Sequence, residues 1–172
     1  MGTVRVFNPE DIKDIHNLLT SNRWEYFLDP VITAEGLKKR NEEYFSSKDS
    51  KSLVYRSAQN NLLGVIRFFE IEDNDTSSPD FTINVDEQAR QKGVGKQLLR
   101  EGVQFIFDMY KNIRRVEATT RCDNVPMQRL FEAVGFAKES HYRKVWKNSN
   151  TGVFMDAFGY AVLKDEFRQV EE

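Results

Sequence analysis

A short polar stretch with two glycines and three cations has the composition of a phosphate-binding turn. It reads Glu87-Gln88-Ala89-Arg90-Gln91-Lys92-Gly93-Val94-Gly95-Lys96. Gly93 and Gly95 lack side chains that would keep a ligand away from the backbone amides. If a helix begins here, its first N–H groups have no partner within the helix and its end is partly positive. These amides could then bind a phosphate group, with added positive charge from Arg90, Lys92 and Lys96.

The residues around this stretch predict that it joins a strand to a helix. Phe81, Ile83 and Val85 alternate with polar residues, which is the period of a half-buried strand. After the first glycine, the apolar residues fall on one helical face. They are Val94, Leu98, Leu99, Val103, Ile106, Phe107 and Tyr110. The glycines therefore lie where a strand leads into the N-terminus of a helix.

The spacing of the stretch, Arg90-x-x-Gly93-x-Gly95, excludes two common nucleotide sites. A dinucleotide-binding fold requires G-x-G-x-x-G, and a nucleoside-triphosphate loop requires G-x-x-x-x-G-K-[ST]. The motif is short. A helix start with flexible glycines and solvated charges is therefore the alternative to a ligand site.

The composition is that of an ordinary soluble globular protein, with 172 residues, 40% hydrophobic and 30% charged. This length suits one domain, which we place at 1–172. A net charge of −2 gives no reason to expect nucleic-acid binding, and no apolar run is long enough to span a membrane. The only cysteine, Cys122, excludes an internal disulfide. The chain also lacks a signal-peptide core, so we expect a cytoplasmic protein.

The rest of the chain predicts an α/β (α+β) fold with the order β-α-α-β-β-β-α-β-α-β-β. Besides the strand near Val85, strands are expected at 3–7, 52–57, 62–70, 116–120, 136–146 and 153–163. Helices are expected after Asn8, from Thr33 to about Phe45, and after Asn124, and Arg23 to Pro30 form an aromatic loop. Because a long helix joins the strands near Val85 and Val116, these two strands should be parallel.

Two motifs in this element order resemble the GNAT family of N-acetyltransferases. Arg90-x-x-Gly93-x-Gly95 is similar to the family's acetyl-CoA pyrophosphate loop, Q/R-x-x-G-x-G/A. A second family stretch, N-x-x-A-x-x-x-Y-E-K-x-G-F, is matched in spacing by Asn124, Glu132, Gly135 and Phe136. The segment 152–160 looks like the ribosomal-protein and small-amine branches. The resemblance covers nearly the whole chain and implies a mixed, mostly antiparallel sheet of about seven strands flanked by about four helices.

The resemblance implies transfer of an acetyl group from acetyl-CoA to a primary amine, either a small amine or a protein N-terminus. The amine would attack the thioester directly. The backbone from Ile83 to Val85 would bind the pantetheine arm, and the Val85 amide would stabilise the developing oxyanion. The amides from Gln91 to Lys96 would hold the pyrophosphate. The implied cofactor site comprises Ile83, Asn84, Val85, Arg90, Gln91, Lys92, Gly93, Val94, Gly95, Lys96, Asn124 and Phe131.

One departure from the family pattern concerns the proton donor. Phe131 stands where many members have a tyrosine that protonates the CoA thiolate, and phenylalanine cannot donate a proton. Some branches lack this tyrosine and use another group or water; Tyr142 and Tyr160 are other donors here. Asn124 could equally be a plain helix cap. The alternative function is a non-catalytic acyl-CoA-binding module of the same fold.

The group that takes a proton from the amine is left open between two carboxylates. Glu70 ends the third strand beside the expected cleft, and Glu117 lies on the fifth strand. Glu72, Asp73 and Asp75 make the neighbouring loop acidic, and such a rim would attract a polyamine, an aminoglycoside or a protein N-terminus. Each of these acids could instead be a solvated surface group. We expect no metal site, and the last two strands could pair between copies to give a homodimer.

Overall fold

A computed structural model describes residues 2–27, 31–148 and 151–169, and its seven strands and six α-helices follow the predicted order. The strands are β1 (Thr3–Val6), β2 (Lys51–Arg56), β3 (Leu62–Phe69), β4 (Asp80–Val85), β5 (Arg115–Arg121), β6 (Ala137–Lys147) and β7 (Phe154–Leu163). The helices are α1 (Ile12–Ser21), α2 (Ala34–Lys38), α3 (Glu42–Phe45), α4 (Val94–Met109), α5 (Val125–Val134) and α6 (Lys164–Gln169). The α/β class expected from the sequence is confirmed.

The strands form two antiparallel sheets rather than one continuous sheet. The first has the order β1-β2-β3-β4 and the second the order β5-β7-β6. The sheets meet where the Glu117 N–H donates to the Pro79 carbonyl at 3.0 Å. Beyond that bond, no hydrogen bond joins 80–85 to 118–121, both of which lie in the described part of the chain. The expected parallel pairing is therefore limited to this junction, and we call the unpaired region beyond it the split.

Apolar side chains cover both faces of the first sheet. On one face α4 packs against Ile66 and Phe68, and Gly102 permits this close approach because an added Cβ would lie 2.9 Å from the Phe68 ring. On the other face α1 packs against Val54 and Val65. The main core continues under α5 into the second sheet, so both sides of the split are anchored in one apolar cluster.

The sequence predicted one continuous helix from Thr33 to Phe45, and this prediction is wrong because the structure divides the segment into two helices. Thr33 accepts a hydrogen bond from the Gly36 N–H at 3.2 Å and starts α2, as the sequence predicted. However, the Asn41 side chain accepts the Tyr44 N–H at 3.1 Å and starts a separate helix, α3. Asparagine favours such local bonds over a helix interior, which explains the break. This division adds one helix to the expected four, and α6, which the sequence analysis did not predict, brings the number in the described residues to six.

Within 2–27, 31–148 and 151–169, no helix is both long enough and apolar enough to cross a membrane.

Candidate active site

The turn before α4 presents a row of backbone amides. Gln91 and Gly93 take left-handed conformations with φ of 60° and 85°, and the first helical bond runs from the Gln97 N–H to the Gly93 carbonyl at 3.0 Å. Among the described residues, no acceptor forms a well-aligned hydrogen bond with the amides of 91–96. Successive amides in such a turn, at the positive end of a helix, make an anion-binding concavity. The predicted phosphate-binding turn thus has the required backbone geometry.

The three cations of this turn are placed differently from one another. The Lys92 and Lys96 side chains are exposed to solvent. Arg90 folds back instead, and its Nε donates to the Val85 carbonyl at 3.1 Å while its Nη2 donates to the Arg23 carbonyl at 3.3 Å. Of these three cations, Lys92 and Lys96 therefore have side chains that are available to a ligand bound at the amides.

The edge of β4 that borders the split is open for hydrogen bonding. The Asp86 N–H donates to the Leu63 carbonyl at 2.9 Å, and the register pairs Val85 with Gly64. Because bonded and non-bonded pairs alternate in an antiparallel ladder, Asn84 bonds to β3. By the same alternation, Ile83 and Val85 direct their N–H and C=O groups away from β3. Of the three residues predicted to bind the pantetheine arm, Ile83 offers its N–H and C=O at this edge, and Val85 offers its N–H because Arg90 already donates to its carbonyl. The Asn84 side chain is buried.

A carboxylate that the sequence analysis did not select lies at the junction of the two sheets. Asp80 is the first residue of β4 and is half-buried, directly after the Pro79 carbonyl that bonds to Glu117. Burial, opposed by a bond from the Phe81 N–H and reinforced by the charges of Glu117 and Glu70, raises the pKa of Asp80 to about 6. A carboxylate with this pKa is ionised at neutral pH and accepts a proton more readily than an ordinary one.

The two carboxylates proposed from the sequence flank Asp80 at the edges of the junction. Glu70 follows β3, is exposed, and takes a left-handed conformation with φ of 59°. Glu117 is half-exposed and is paired with Arg115 Nε at 3.2 Å. The sequence analysis placed Glu70 at the end of a strand and Glu117 on a strand, and it did not name Asp80. Asp80 was missed because an acidic residue directly before an alternating apolar strand usually indicates only where the strand begins.

Asn124 and Phe131 on α5 have different surroundings. The Asn124 side chain caps the helix by accepting the Met127 N–H at 3.3 Å and donates to the Thr120 hydroxyl at 3.1 Å. Phe131 is 1% exposed, with its ring 5.9 Å from that of Phe81 and 4.9 Å from that of Tyr160. Phe131 is therefore sealed within an aromatic cluster.

The other predicted proton donors, Tyr142 and Tyr160, also differ in their surroundings. Tyr142 is exposed on β6. Tyr160 is buried beside Phe131, and desolvation raises the pKa of its phenol. A phenol with a raised pKa is a weaker acid, which lowers its value as a donor to a thiolate.

A family model with the description "Acetyltransferase (GNAT) family" matches residues 14–136 of this chain. Among similar proteins is the spermidine N(1)-acetyltransferase of Vibrio cholerae, 25% identical over 141 residues that cover 81% of this chain and 80% of that protein. The uncharacterized N-acetyltransferase YokL of Bacillus subtilis is 27% identical over 169 residues, covering 96% and 91%.

A solved structure shares the fold of the whole chain. It is the spermidine N-acetyltransferase of Vibrio cholerae in complex with CoA and spermine, with a TM-score of 0.82 and 22% identity over 97% of this chain and 98% of that one. The family model, the amide turn before α4 and the open edge of β4 agree with one another. The chain belongs to the acetyltransferase (GNAT) family and is an acetyl-CoA-dependent N-acetyltransferase.

Proposed function

We propose that this enzyme acetylates a small polycationic amine, such as spermidine, with Asp80 as the group that takes the proton from the attacking nitrogen. The observation that carries the proposal is the Asp80 carboxylate at the sheet junction, with its pKa raised to about 6. The names of the Vibrio cholerae relatives support the substrate class, because those proteins are spermidine acetyltransferases.

Backbone groups hold acetyl-CoA in this proposal. The amides of 91–96 bind the pyrophosphate, with Lys92 and Lys96 beside them, and the free edge formed by Ile83 and Val85 binds the pantetheine arm. The Val85 N–H is directed into the split, where it can donate to the thioester oxygen as negative charge develops there. Because these donors are held by β4 and α4, they need little rearrangement when the reaction begins.

Carboxylates handle the acceptor in this proposal. A primary amine is protonated at neutral pH, with a pKa of about 10.4 in lysine, and must lose a proton before it attacks. Asp80 accepts that proton, either directly or through a water molecule. Glu70 and Glu117 attract the cation and keep the Asp80 pKa high, so we assign them an electrostatic role in place of the base role expected from the sequence.

The leaving thiolate needs no dedicated acid in this enzyme. Phe131 cannot donate a proton, and Tyr160 beside it has a raised pKa. A free thiol has a pKa of about 8.5, so the thiolate is a sufficiently stable leaving group and can take its proton from water. We propose that Phe131 shapes the apolar end of the site and that Asn124 keeps the start of α5 in place.

A competition assay tests the acceptor class. Equal concentrations of spermidine, spermine, an aminoglycoside and a ribosomal-protein N-terminal peptide are offered with acetyl-CoA, and the products are quantified by mass spectrometry. We expect the polyamines to be acetylated first. Preferential acetylation of the peptide would contradict the proposal, and CoA binding without any acetylated product would favour the non-catalytic module.

We further propose that two copies pair through the β6 edge. Among the described residues, β6 has a neighbouring strand on one side only, and Tyr142 and Val145 on it are 47% and 58% exposed. Edge strands of this kind invite pairing with another chain. Sedimentation equilibrium should give a dimer for the parent protein and a monomer for Val145→Lys, and a monomeric parent would contradict the pairing.

Residues 1–172 are proposed to act as one cytoplasmic domain. β1 pairs with β2, and Phe167 of α6 is 2% exposed within the main core, so both ends of the described chain contribute to the same fold. Cys122 is a free thiol, which supports a reducing compartment. Limited proteolysis should yield no stable fragment, and cell fractionation should recover the activity with cytoplasmic markers.

A further inference from the structure

The segment that follows α1 contacts the turn after β4 and the last residue of β5, at the end of the split away from Asp80. We call Asn22–Tyr26 the bridging segment. On the β4 side, the Asn22 side-chain oxygen accepts the Glu87 N–H at 2.6 Å, and the Arg23 carbonyl accepts Arg90 Nη2 at 3.3 Å. The Arg90 guanidinium also lies over the Trp24 ring, 5.3 Å from its centroid. These contacts tie the segment to the turn that carries the amides of 91–96.

On the β5 side, Arg121 holds the other end of the bridging segment. Its Nη1 donates to the Glu25 carbonyl at 3.1 Å, and its guanidinium lies 5.4 Å from the centroid of the Tyr26 ring. Arg121 is 4% exposed and makes two bonds to the Asp123 carboxylate, at 3.0 and 2.6 Å. Paired in this way, the guanidinium is fixed in orientation and presents its remaining donors to the segment.

The middle of the bridging segment is fixed to α1. Trp24 is 4% exposed, and its indole N–H donates to the Leu19 carbonyl at 2.9 Å. The segment therefore crosses from the turn after β4 to the end of β5, where the two sheets share no hydrogen bond in the part of the chain that is described. The bridging segment therefore forms one wall of the split, and Arg90 and Arg121 hold it in place.

We propose that Arg90 and Arg121 are positioning residues that clamp the bridging segment across the split, so that binding of CoA at the amide turn fixes the wall at the end of the split away from Asp80. This inference rests on the CoA site of the proposed function. Arg90 adjoins the amides of 91–96 in the chain, and two of its N–H groups donate to the Val85 and Arg23 carbonyls. A change in the turn on CoA binding therefore reaches both the end of β4 and the bridging segment.

The alternative role for Arg90 is a phosphate-binding cation, as the sequence suggested. In that role its loss would weaken CoA binding and leave the bridging segment unchanged. The clamp instead predicts that loss of Arg90 also changes the surroundings of the bridging segment. Trp24 reports on the segment because it lies inside it and under the Arg90 guanidinium.

A fluorescence experiment separates the two roles without any acceptor. The chain has two tryptophans, so Trp146→Phe leaves Trp24 as the single emitter. Saturating CoA should shift the Trp24 emission in this background, and adding Arg90→Gln should abolish the shift although calorimetry still shows CoA bound. An emission unmoved by bound CoA, or a shift that persists in Arg90→Gln, would overturn the clamp. This readout remains valid even if no amine is acetylated, so it can fail independently of the proposed function.

The same emission tests the other arginine. Arg121→Lys keeps the charge but loses the two-pronged contact, and we expect the CoA-induced shift of Trp24 to fall to less than about half while the CoA dissociation constant stays within about twofold. Lys92→Met is the matched control, expected to weaken CoA binding while saturating CoA still gives the full shift. If Arg121→Lys does not fold, Tyr26→Leu removes the ring contact alone and should reduce the shift in the same direction. A full shift in the folded variant would overturn the clamp.

Discussion

The proposed cofactor side of this enzyme is formed by backbone groups, whereas the proposed acceptor side is formed by side chains. The backbone groups are the amides of 91–96 and the open edge of β4 at Ile83 and Val85. The side chains are Asp80, Glu70 and Glu117, which come from three different strand ends or strands and lie near one junction. A backbone site tolerates change in most of its side chains, whereas a side-chain site depends on the exact chemistry of each member.

This difference predicts which substitutions each side tolerates. On the cofactor side, glycines should matter most because they set the path of the chain and leave room for the ligand. On the acceptor side, isosteric exchange of one carboxylate, Asp80, should be sufficient to remove most of the activity.

Gly95→Glu should have the largest effect, a loss of CoA affinity of at least about 100-fold. A side chain at Gly95 begins 3.5 Å from Leu130 and 3.7 Å from Val85, so a glutamate must lead out toward the amide turn and bring negative charge to it. Calorimetry on a folded variant measures the affinity. Gly152→Asn is the matched control and should leave CoA affinity unchanged, because Gly152 lies in the turn between β6 and β7 and asparagine tolerates its left-handed φ of 71°.

Asp80→Asn should lower turnover about 100-fold at neutral pH and leave CoA affinity unchanged. It should also stabilise the protein. Because the folded-state pKa of Asp80 is raised to about 6 from 3.8, the folded state holds its proton more tightly, and stability falls as the pH rises through that range. Removing the charge should therefore increase the free energy of unfolding at pH 7 by about 1–2 kcal/mol.

Denaturant unfolding and turnover of Asp80→Asn are to be measured together. Loss of activity with a gain in stability identifies a functional group rather than a structural one. Glu72→Gln, in the neighbouring exposed loop, is the control and should change neither quantity. A variant that is both less active and less stable would argue that Asp80 only supports the fold.

Phe131→Tyr should change turnover by less than about tenfold, or 1.4 kcal/mol of barrier. The ring is sealed against Phe81, Phe136 and Tyr160, so an added hydroxyl enters an aromatic cluster rather than an open site. Phe131→Ala should instead lower stability by about 3–5 kcal/mol because it leaves a cavity. Single-turnover rates decide the point, and a gain of about a hundredfold from the tyrosine would mean that the site lacks a proton donor it requires.

Glu117→Gln should have the smallest effect, a shift of the acidic limb of the pH–rate profile toward lower pH. Removing this charge lowers the pKa of Asp80, since Glu117 is the stronger of its two acidic neighbours. Turnover well above pH 6 should change little. If Glu117→Gln abolishes turnover while Asp80→Asn does not, the base assignment moves to Glu117.

The same contrast explains which parts of the structure could be predicted from the sequence. The amide turn, β4 and α4 are contiguous, so glycine spacing and hydrophobic period indicated them together. The order of the elements and the caps at Asn8, Thr33 and Asn124 were likewise local signals. Local signals also gave the one long helix from Thr33 that the structure divides, because the cap at Asn41 was not recognised.

The remainder of the site depends on contacts between distant parts of the chain. Asp80 meets Glu117 only because the two sheets join at Pro79, and Arg90 meets Arg23 only because the segment after α1 crosses the split. No spacing in the sequence encodes either contact. The sequence accordingly assigned Arg90 to the phosphate and placed the base on Glu70 or Glu117.

The pH dependence of kcat/KM for acetylation of spermidine tests the central claim most directly, because it reports the ionisation of the free enzyme. We expect a bell-shaped profile in the parent, with an acidic limb near the Asp80 pKa of about 6 and a basic limb from the acceptor amine. In Asp80→Asn the acidic limb should vanish, and the residual rate should be low across the range. An acidic limb that survives in Asp80→Asn with an undiminished rate would contradict the assignment of Asp80 as the base.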